Sequence, residues 1–353
     1  MRYKNSVTYK EIVHQPELWF DTWQIFQDNG HRALFRMLRH EYSRIIVTGA
    51  GSSYFAALTA VPLIRGRCSL DIVAVPTTDI VSNPAEWLLP NVPTAIISIA
   101  RSGNSPESLA VIDLAAALLD KVFHVGIICN PDGLLTDKIS SLGGKNIFLP
   151  AAANEDGFAS TGSYTATVFA LLLLFGIEQT LSDSLVSWLE KSEAMATVLM
   201  TTEFQRIVFL GSGSLFGAAR ESALKVTELS GGKIAAFYDS PLGFRHGPKA
   251  IIDNATVVCS FISTDGYTAK YDDDMLNEIV QADRAVKIIE FDAEKQIAND
   301  GLLAMQIVTF AQFLGLMLAE KFKLDPDNPS ADGTINKVVQ GVNIYPYKPQ
   351  DTF

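Results

Sequence analysis

The chain has 353 residues, of which 48% are hydrophobic and 19% are charged, and its formal net charge is -11. This apolar content is enough for a sizeable core and excludes a disordered chain. At roughly 100–200 residues per domain, the length predicts two domains, with one large α/β unit as the alternative. The acidic balance argues against nucleic acid or an anionic membrane as the main partner. It leaves room for a small anionic ligand bound by backbone N–H groups.

Cysteine usage and apolar runs indicate a cytoplasmic protein. Cys68, Cys129 and Cys259 are too few and too widely spaced for a disulfide framework or a zinc site. We expect them to be reduced core thiols. The polar N-terminus has no hydrophobic signal region, and the longest apolar run that we identify, 166–177, is shorter than the ~20 residues that span a bilayer. We therefore expect this run to be a buried helix.

In chain order, the first forty residues have a helical pattern, with Thr8 and Glu11 spaced as a capping box. From Arg44 onward, short runs rich in Ile and Val alternate with helical stretches, which predicts βαβ units and a parallel sheet. After the strand that begins at Arg44, the predicted strands of the first half are 71–75, 94–99, 124–128 and 146–149. Those of the second half, after the strand that begins at Arg206, are 233–236, 256–262 and 286–291. The predicted helices include 106–119, 164–176 and 304–321.

An internal repeat divides the chain into two halves. The segment Arg44-Ile-Ile-Val-Thr-Gly-Ala-Gly-Ser52 resembles Arg206-Ile-Val-Phe-Leu-Gly-Ser-Gly-Ser214. Two homologous α/β halves are therefore expected rather than one continuous sheet. The predicted units are an N-terminal helical segment (1–40), a first domain (41–180), a helical connector (181–202), a second domain (203–324) and a tail (325–353). The tail is rich in Pro and Gly, so we expect it to be irregular and to pack over the site.

Two loops rich in Gly and Ser follow predicted strands of the first half, and each opens a helix. The segment 49–53, Gly-Ala-Gly-Ser-Ser, lacks the third glycine of a dinucleotide fingerprint, so a tight strand–helix turn would also explain it. The segment 102–106, Ser-Gly-Asn-Ser-Pro, would by itself also be explained by helix capping. Two such loops on one sheet favour a phosphate site, because hydroxyl and N–H groups can surround phosphate oxygens.

Two further groups of residues could transfer protons. Glu221, Lys225 and Glu228 are spaced i, i+4, i+7 and share one helix face, either as a solvated stripe of ion pairs or as part of a site after the second Gly/Ser turn. His246 lies in a glycine-flanked loop, where it is accessible for proton transfer or is simply a surface histidine. We expect the remaining histidines, at positions 14, 31, 40 and 124, to be structural.

Together these residues resemble the sugar isomerase (SIS) domain family, in two tandem copies that span roughly residues 8 to 347. The joint order of the matching blocks is specific: 51–53, 101–107, 155–161, 223–229 and 245–248. The layout is similar to the isomerase half of glucosamine-6-phosphate synthase, without its glutaminase domain. The segments 238–248, 328–330 and 335–342 resemble the AgaS-type group, described as galactosamine-6-phosphate deaminase/isomerases or tagatose-6-phosphate ketose/aldose isomerases.

The resemblance implies an α/β fold of two tandem SIS domains, each a three-layer αβα sandwich with a mainly parallel sheet. It implies that Glu228 moves a proton between C1 and C2 and that Lys225 lies near the reacting carbons. His246 would open the sugar ring, from its own or the partner subunit, and Lys337 of the tail would lie over the site. The residues implied to bind phosphate are Ser52, Ser53, Ser102, Gly103, Asn104 and Ser105. Those implied to contact the rest of the substrate are Gly51, Arg101, Phe158 and Ser160.

The sequence departs from the family pattern at three places. Ala100 stands where many relatives have a serine that helps to bind phosphate, and Gly162 replaces a common lysine. In the second half, the segment 263–266, Ser-Thr-Asp-Gly, matches the Ser-x-Ser-Gly phosphate loop of the family only weakly. We therefore expect one phosphate pocket per chain, in the first half.

The resemblance implies an enzyme that needs no metal or organic cofactor and that forms a homodimer or a larger homo-oligomer. The leading hypothesis is conversion of galactosamine 6-phosphate to tagatose 6-phosphate and ammonia in carbohydrate catabolism. The alternatives are aldose–ketose isomerisation of tagatose 6-phosphate or a related hexose 6-phosphate, and a non-catalytic sensor of sugar phosphate. The intact pair of Glu228 and His246 favours an enzyme over a sensor, whereas the epimer and the direction of flux stay open.

Overall fold

The structure is a computed structural model that describes residues 2–67, 70–177, 184–292, 297, 299–339 and 341–348, so Cys68 lies outside the described residues. Its named strands form two parallel sheets. The first contains β1 (Arg44–Gly49), β2 (Asp71–Pro76), β3 (Thr94–Ala100), β4 (Val122–Ile128) and β5 (Lys145–Phe148) in the order β2-β1-β3-β4-β5. The second contains β6 (Arg206–Leu210), β7 (Ala235–Asp239), β8 (Thr256–Phe261) and β9 (Lys287–Phe291) in the order β7-β6-β8-β9. The predicted α/β class with two parallel sheets is confirmed.

Helices precede, separate and follow the strands. In the first half they are α1 (Val7–Val13), α2 (Gln15–Ile25), α3 (Asn29–Glu41), α4 (Ser52–Arg67), α5 (Thr77–Ser82), α6 (Pro84–Trp87), α7 (Pro106–Leu118), α8 (Leu134–Ser141) and α9 (Gly162–Leu174). In the second half they are α10 (Ser184–Leu199), α11 (Ser214–Leu229), α12 (Pro241–Phe244), α13 (Thr268–Ala282) and α14 (Asp300–Lys321). Short 3-10 turns lie at Arg2–Asn5, Ala151–Ala153 and Pro248–Ile251.

Two expectations about local structure are wrong. The helix cap of α1 is Ser6, whose extended backbone lets its hydroxyl accept from the N–H of Tyr9, so Thr8 and Glu11 do not form the predicted capping box. The strand predicted over 233–236 begins instead at Ala235. The chain turns after α11 through Gly231 and Gly232, both in the left-handed region at φ 59° and 71°. The N–H groups of Lys233 and Ile234 still bond back to Ser230, so these two residues belong to the turn.

One hydrophobic core joins the two sheets. It contains Ile45 and Ile97 of the first sheet, Ile207 and Val257 of the second, and the buried faces of α4, α9, α11 and α14. Strands β3 and β8 are buried along their whole length, as parallel strands covered on both faces must be. His124 is buried within β4, and that burial lowers its pKa to about 4, as expected of a structural histidine.

Helix α14 is the longest apolar helix of the described chain, longer than the run at 166–177 that stood out in the sequence. Its length and hydropathy would allow it to cross a membrane, but 94% of its most apolar 18-residue stretch is buried inside the protein. Helix α9 is likewise buried along its whole length. These two helices therefore form the centre of the shared core.

The two halves meet where α4 crosses α11, and the crossing occurs at Gly217. A Cβ atom at this position would lie 2.3 Å from the hydroxyl oxygen and 2.5 Å from the backbone nitrogen of Thr59. The helices therefore touch backbone to backbone, which only glycine permits here. This contact sets the distance between the first turns of α4 and the second half of α11.

We predict that Gly217→Ala lowers the free energy of unfolding by ~1–3 kcal/mol, because the added methyl group overpacks the crossing. The matched control is Gly66→Ala in α4, where a Cβ atom meets nothing within 4 Å. That variant should be neutral or more stable by ~0.5–1 kcal/mol, because alanine has less conformational entropy to lose in a helix. Denaturant titrations of both variants measure the difference, and equal midpoints would contradict the close crossing.

Candidate functional site

The carboxyl ends of β1 and β3 lie side by side at the point where the strand order of the first sheet reverses. Chain connections leave this point in opposite directions, so a crevice opens between the two following loops. The loop after β1 enters α4 at Ser52, and the loop after β3 enters α7 at Pro106. Both helices therefore begin at the crevice with their positive N-terminal ends, an arrangement that favours an anion.

A pocket of about 210 Å³ lies at this crevice and is lined by both halves and by the tail. Its lining residues are Ala50, Gly51, Ser52, Ser53, Ile99, Ala100, Arg101, Ser102, Gly103, Ser105, Ser108, Phe158, Ser160, Leu224, Glu228, Asn336, Lys337, Val338 and Val339. Every predicted site residue is among them except Asn104, Lys225 and His246. Among the described residues, no group of three or more His, Cys, Asp and Glu side chains is placed to bind a metal ion.

The loop that contains Ser102 and Gly103 is fixed from its outer side by the segment after β4. The carbonyl of Ser102 accepts from the side chain of Asn130 at 3.1 Å, and that of Gly103 accepts from the N–H of Leu135 at 3.0 Å. Gly103 has a left-handed backbone, φ 71°, and lies against Gly133. A Cβ atom on Gly133 would be 2.5 Å from the carbonyl oxygen of Ser102. These bonds fix the loop with Ser102, Gly103 and Ser105 lining the pocket, while the N–H of Asn104 donates to the hydroxyl of Ser102 at 3.3 Å within the loop.

The polar side chains of this loop have separate roles. Asn104 accepts from the N–H of Leu134 at 3.0 Å, so its side chain anchors the loop and does not line the pocket. Ser105 is the residue before α7 but makes no side-chain cap bond. Its hydroxyl lies 2.7 Å from that of Ser108, one turn along, and both residues line the pocket. The Ser105 hydroxyl therefore faces the site instead of capping the helix.

Glu221, Lys225 and Glu228 are not a solvated stripe. The Nζ of Lys225 lies 2.7 Å from Oε2 of Glu228 and 3.4 Å from Oε1 of Glu221, and the side chains of Lys225 and Glu221 are both fully buried. Glu228 is the member that reaches the pocket, with 21% of its side chain exposed. The buried lysine therefore lies beneath the pocket floor and holds the carboxylate that faces the cavity.

Ser52 connects this cluster to the N-terminal end of α4. Its hydroxyl donates to Oε1 of Glu221 at 3.1 Å and accepts from Nζ of Lys225 at 3.3 Å. Burial by itself would lower the pKa of Lys225, but the neighbouring Glu221 and Glu228 outweigh it and raise that pKa. Burial raises the pKa of Glu221 to about 7, although Lys225 opposes the shift. The cluster therefore contains a lysine that stays charged and a carboxyl that titrates near neutrality.

The tail closes one side of the pocket. The Nζ of Lys337 donates to the carbonyls of Glu155 and Asp156, both at 2.9 Å. Arg101 donates from its guanidinium to the carbonyl of Phe158 and to that of Lys337, at 3.2 Å each. Two cationic side chains that bind backbone carbonyls thus join three segments around the pocket: the loop after β3, the loop before α9 and the tail.

His246 lies elsewhere in the same chain. It occupies an exposed turn between α12 and the following 3-10 turn, and it is not among the residues that line the pocket. Its neighbour Arg245 pairs with Glu278 of α13 at 2.9 Å, which fixes the turn to the second half. One chain by itself therefore does not bring His246 to Glu228.

Equivalent loops of the second half are filled by carboxylates of the protein itself. The hydroxyl of Ser212 and the N–H of Ser263 donate to Asp272 of α13, at 2.5 Å and 3.0 Å. The N–H and hydroxyl of Thr264 donate to Asp300 of α14, at 2.6 Å and 2.7 Å. Burial raises the pKa of Asp272. The donors that face the crevice in the first half are used internally in the second, which is a physical reason to expect one phosphate pocket per chain.

Sequence reasoning missed some residues around the site. Glu155 is a buried carboxylate that accepts from Thr161 and from the N–H of Gly162 at 2.6 Å, and so it caps the start of α9. Gly162 itself leaves no room for the common family lysine, since its Cβ would lie 2.8 Å from Leu18. The lining residues that were not predicted are Ala50, Ile99, Ala100, Ser108, Leu224, Asn336, Val338 and Val339. The Ser105/Ser108 spacing is a local signal for one of them, and the matching segment 335–342 contains three others.

We predict that Asp272→Ala destabilises the protein by ~1–3 kcal/mol for each buried donor left unpaired, because Ser212 and Ser263 both lose their acceptor. The control is Asp273→Ala, the exposed neighbour on the same helix, which should change the free energy of unfolding by less than ~0.5 kcal/mol. Thermal unfolding of the two variants makes the comparison. Equal melting temperatures would mean that the carboxylate does not satisfy these loops.

Comparison with known proteins agrees with this geometry. A sequence profile of the SIS domain matches residues 202–312. The chain is 40% identical to D-galactosamine-6-phosphate deaminase AgaS of Escherichia coli O157:H7, over 97% of this chain and 96% of the relative. The crystal structure of tagatose-6-phosphate ketose/aldose isomerase from Escherichia coli superposes with a TM-score of 0.85 at 34% identity, covering 98% of each chain.

A more distant structure confirms the predicted likeness to glucosamine-6-phosphate synthase at the level of the fold. The C-terminal domain of glucosamine-fructose-6-phosphate aminotransferase from Francisella tularensis has a TM-score of 0.73 at 19% identity, covering 92% of this chain and 98% of that domain. Identity over nearly the full length of the AgaS relative is what identifies the family. The chain belongs to the SIS domain family, in its AgaS-type group.

Proposed function

We propose that the protein is an amino-sugar phosphate deaminase/isomerase that converts galactosamine 6-phosphate to tagatose 6-phosphate and ammonia. The observation that carries the proposal is the pocket itself, in which two helix N-termini and several serine hydroxyls face a glutamate fixed by a buried lysine. A pocket that binds an anion at one end and presents a carboxylate base at the other suits a sugar phosphate. The relative at 40% identity is named D-galactosamine-6-phosphate deaminase, which supports the choice of substrate.

In this proposal the phosphate binds at the crevice between α4 and α7. The hydroxyls of Ser53, Ser102 and Ser105, which line the pocket, supply donors. Ser52 also lines the pocket and joins them when its hydroxyl exchanges its bond to Glu221 for one to the phosphate. Gly51 and Gly103 allow the backbone to approach the phosphate, because both have left-handed conformations. Binding energy from the phosphate, which does not react, would hold the carbon end of the substrate against Glu228.

Glu228 is proposed as the base. It removes the proton from C2 of the open-chain 2-amino aldehyde, and the electron pair of that bond forms the C1–C2 double bond. The π pair of the C1=O bond moves to O1, which takes a proton from water to give an enolamine. Return of the proton from Glu228 to C1 gives the protonated imine of the ketose. Water then adds to C2 and ammonia leaves, which produces the ketose. The ammonium group of Lys225, with Nζ 2.7 Å from Oε2 of Glu228, holds the side chain of Glu228 in place for both transfers.

Ring opening needs a second proton carrier, and we assign it to His246 of a partner subunit. His246 is exposed and lies outside the pocket of its own chain. The exposed Phe237, Tyr238 and Leu242 precede it in the same segment, and exposed apolar residues of this kind suit contact with another chain. The protein is therefore proposed to act as a homodimer or a larger homo-oligomer.

Mixing two inactive variants tests this assignment. Glu228→Gln and His246→Ala chains should each be nearly inactive alone. A co-refolded equal mixture should recover up to about a quarter of wild-type activity, because about half of the dimers contain both variants and each of these has one intact site of its two. Activity measured after mixing and separation by size is the readout. A fully active monomer in sedimentation, or a mixture as inactive as its components, would overturn the shared site.

Plain aldose–ketose isomerisation is the second candidate. The observation in its favour is the structural match to a protein named tagatose-6-phosphate ketose/aldose isomerase. The same Glu228 would move the same proton on a neutral aldose, so the base itself does not separate the two reactions. A sensor without catalysis is the third candidate, and the carboxylate of Glu228, held by a buried lysine at the pocket, favours an enzyme over it.

A panel of amino- and neutral-hexose 6-phosphates, assayed for both ammonia and ketose, tests the function. We expect ammonia and ketose in equal amounts from galactosamine 6-phosphate, and a loss of ~10²–10⁴-fold in rate for Glu228→Gln with little change in substrate affinity. Ketose formation from neutral sugars without ammonia from any amino sugar would replace the deaminase by the isomerase. Tight binding of sugar phosphate without any turnover would favour the sensor.

A further inference from the structure

Helix α1 contacts the loop before α9 through one carboxylate. Oε1 of Glu11 accepts from the N–H of Asp156 at 2.7 Å and from the N–H of Gly157 at 2.9 Å. The contact is close, since a Cβ atom at Gly157 would lie 2.4 Å from Oε2 of Glu11 and 3.0 Å from the hydroxyl of Thr8. Helix α1 therefore rests directly on this turn, which we call the 155–157 turn.

The opposite side of the 155–157 turn binds Lys337. The carbonyls of Glu155 and Asp156 accept from Nζ of Lys337, both at 2.9 Å. The N–H of Asp156 belongs to the same peptide unit as the carbonyl of Glu155, and the N–H of Gly157 to the same unit as the carbonyl of Asp156. Because a trans peptide is planar and its N–H and C=O point in opposite directions, each unit is bound by Glu11 on one side and by Lys337 on the other.

This geometry connects Glu11, as hydrogen-bond acceptor, to Lys337, as donor, through two peptide units. The carboxylate of Glu11 favours the orientation in which both N–H groups face it, and that orientation directs both carbonyls at the ammonium group. Hydrogen bonds in such a chain polarise one another in the same sense. Glu11 therefore acts on the position of Lys337 without touching it.

The start of the tail fixes α1 in turn. Asp327 accepts from the N–H groups of Val7 and Thr8 at 2.8 Å and 2.9 Å, and from the hydroxyl of Thr8 at 2.7 Å. A carboxylate at this end of a helix binds free N–H groups and the positive end of the helix dipole. The tail thus caps α1 at one point and, ten residues later, binds the turn on which α1 rests.

We propose that Glu11 is a positioning residue for the reaction: it orients the 155–157 turn so that Lys337 and the tail close over the pocket. Nothing in the family resemblance assigns a role to α1. The kinetic part of this inference rests on the proposed function, whereas its structural part, the coupling of Glu11 to the tail, does not. Lys337, Asn336, Val338 and Val339 all line the pocket, so displacement of the tail changes the wall that faces the substrate.

A double-mutant cycle between Glu11 and Lys337 tests the coupling. Glu11→Ala should lower kcat/KM by ~10²-fold, the effect of a misplaced group near the reacting atoms. In a Lys337→Met background the same Glu11→Ala change should cost little more, because Glu11 then has nothing to position. Glu11→Gln should retain most of the wild-type activity, since its amide oxygen still accepts from both N–H groups. If Glu11→Ala fails to fold, Glu11→Asp, which withdraws the carboxylate by one methylene, takes its place.

The matched control is Glu17→Ala, which removes a glutamate of α2 whose side chain is 66% exposed and which should leave kcat/KM unchanged. Fully additive losses for Glu11 and Lys337, or a Glu11→Gln variant as impaired as Glu11→Ala, would overturn the proposal. Either result would assign to Glu11 a merely structural role in seating α1.

Hydrogen exchange of the tail, measured on the full chain without substrate, separates this inference from the proposed function. Amides at 335–339 should exchange faster in Glu11→Ala than in wild type, and as fast as in Lys337→Met, whether or not any sugar phosphate is turned over. Unchanged exchange in Glu11→Ala would overturn the coupling even if the enzyme is an active deaminase. Faster exchange in a protein that turns over no sugar phosphate would retain the coupling and reject the function.

Discussion

The contact between α4 and α11 is the constraint on which the rest of the structure depends. Because Gly217 has no side chain, the two helices touch at their backbones, and the first turn of α4 comes within hydrogen-bond reach of the middle of α11. Ser52 then bonds to Glu221 and Lys225, and Lys225 to Glu228. The N-terminal end of α4 in one half and the carboxylate of Glu228 in the other become parts of one pocket, although they are distant in the sequence.

Burial gives this contact its chemical consequence. Lys225 is fully buried, and an unpaired ammonium group there would carry a large desolvation cost, so its two carboxylate partners are obligatory. Of these two, only Glu228 is open to the cavity. Burial raises the pKa of Glu221 to about 7. Glu228 is the closer partner of the lysine, whose Nζ lies 2.7 Å from Oε2 of Glu228. A single exposed carboxylate is thus produced by a cluster whose other members are inaccessible.

The two halves share a strand order but differ in what their serine-containing loops bind. Both sheets reverse their strand order after the first two strands, and both present serine-containing loops at that reversal. In the first half the loops face a cavity, whereas in the second Asp272 and Asp300 occupy the donors. In the second half, carboxylates of α13 and α14 therefore accept from these loops, and this half contributes Leu224 and Glu228 of α11 to the pocket at the first sheet.

The amino-acid sequence by itself determined the class of the fold and most of the lining of the site. Short apolar runs, the repeated Gly-x-Gly-Ser turn and the Ser-Gly-Asn-Ser-Pro loop are local signals, because a strand, a tight turn and a helix start depend on neighbouring residues. Tertiary structure alone decided which polar residues support the pocket without lining it. Asn104 anchors a loop, Lys225 lies beneath the floor, and Glu11 reaches the 155–157 turn from a helix far away in sequence. Such roles depend on the packing of segments that are remote along the chain, and no local pattern encodes the distance between them.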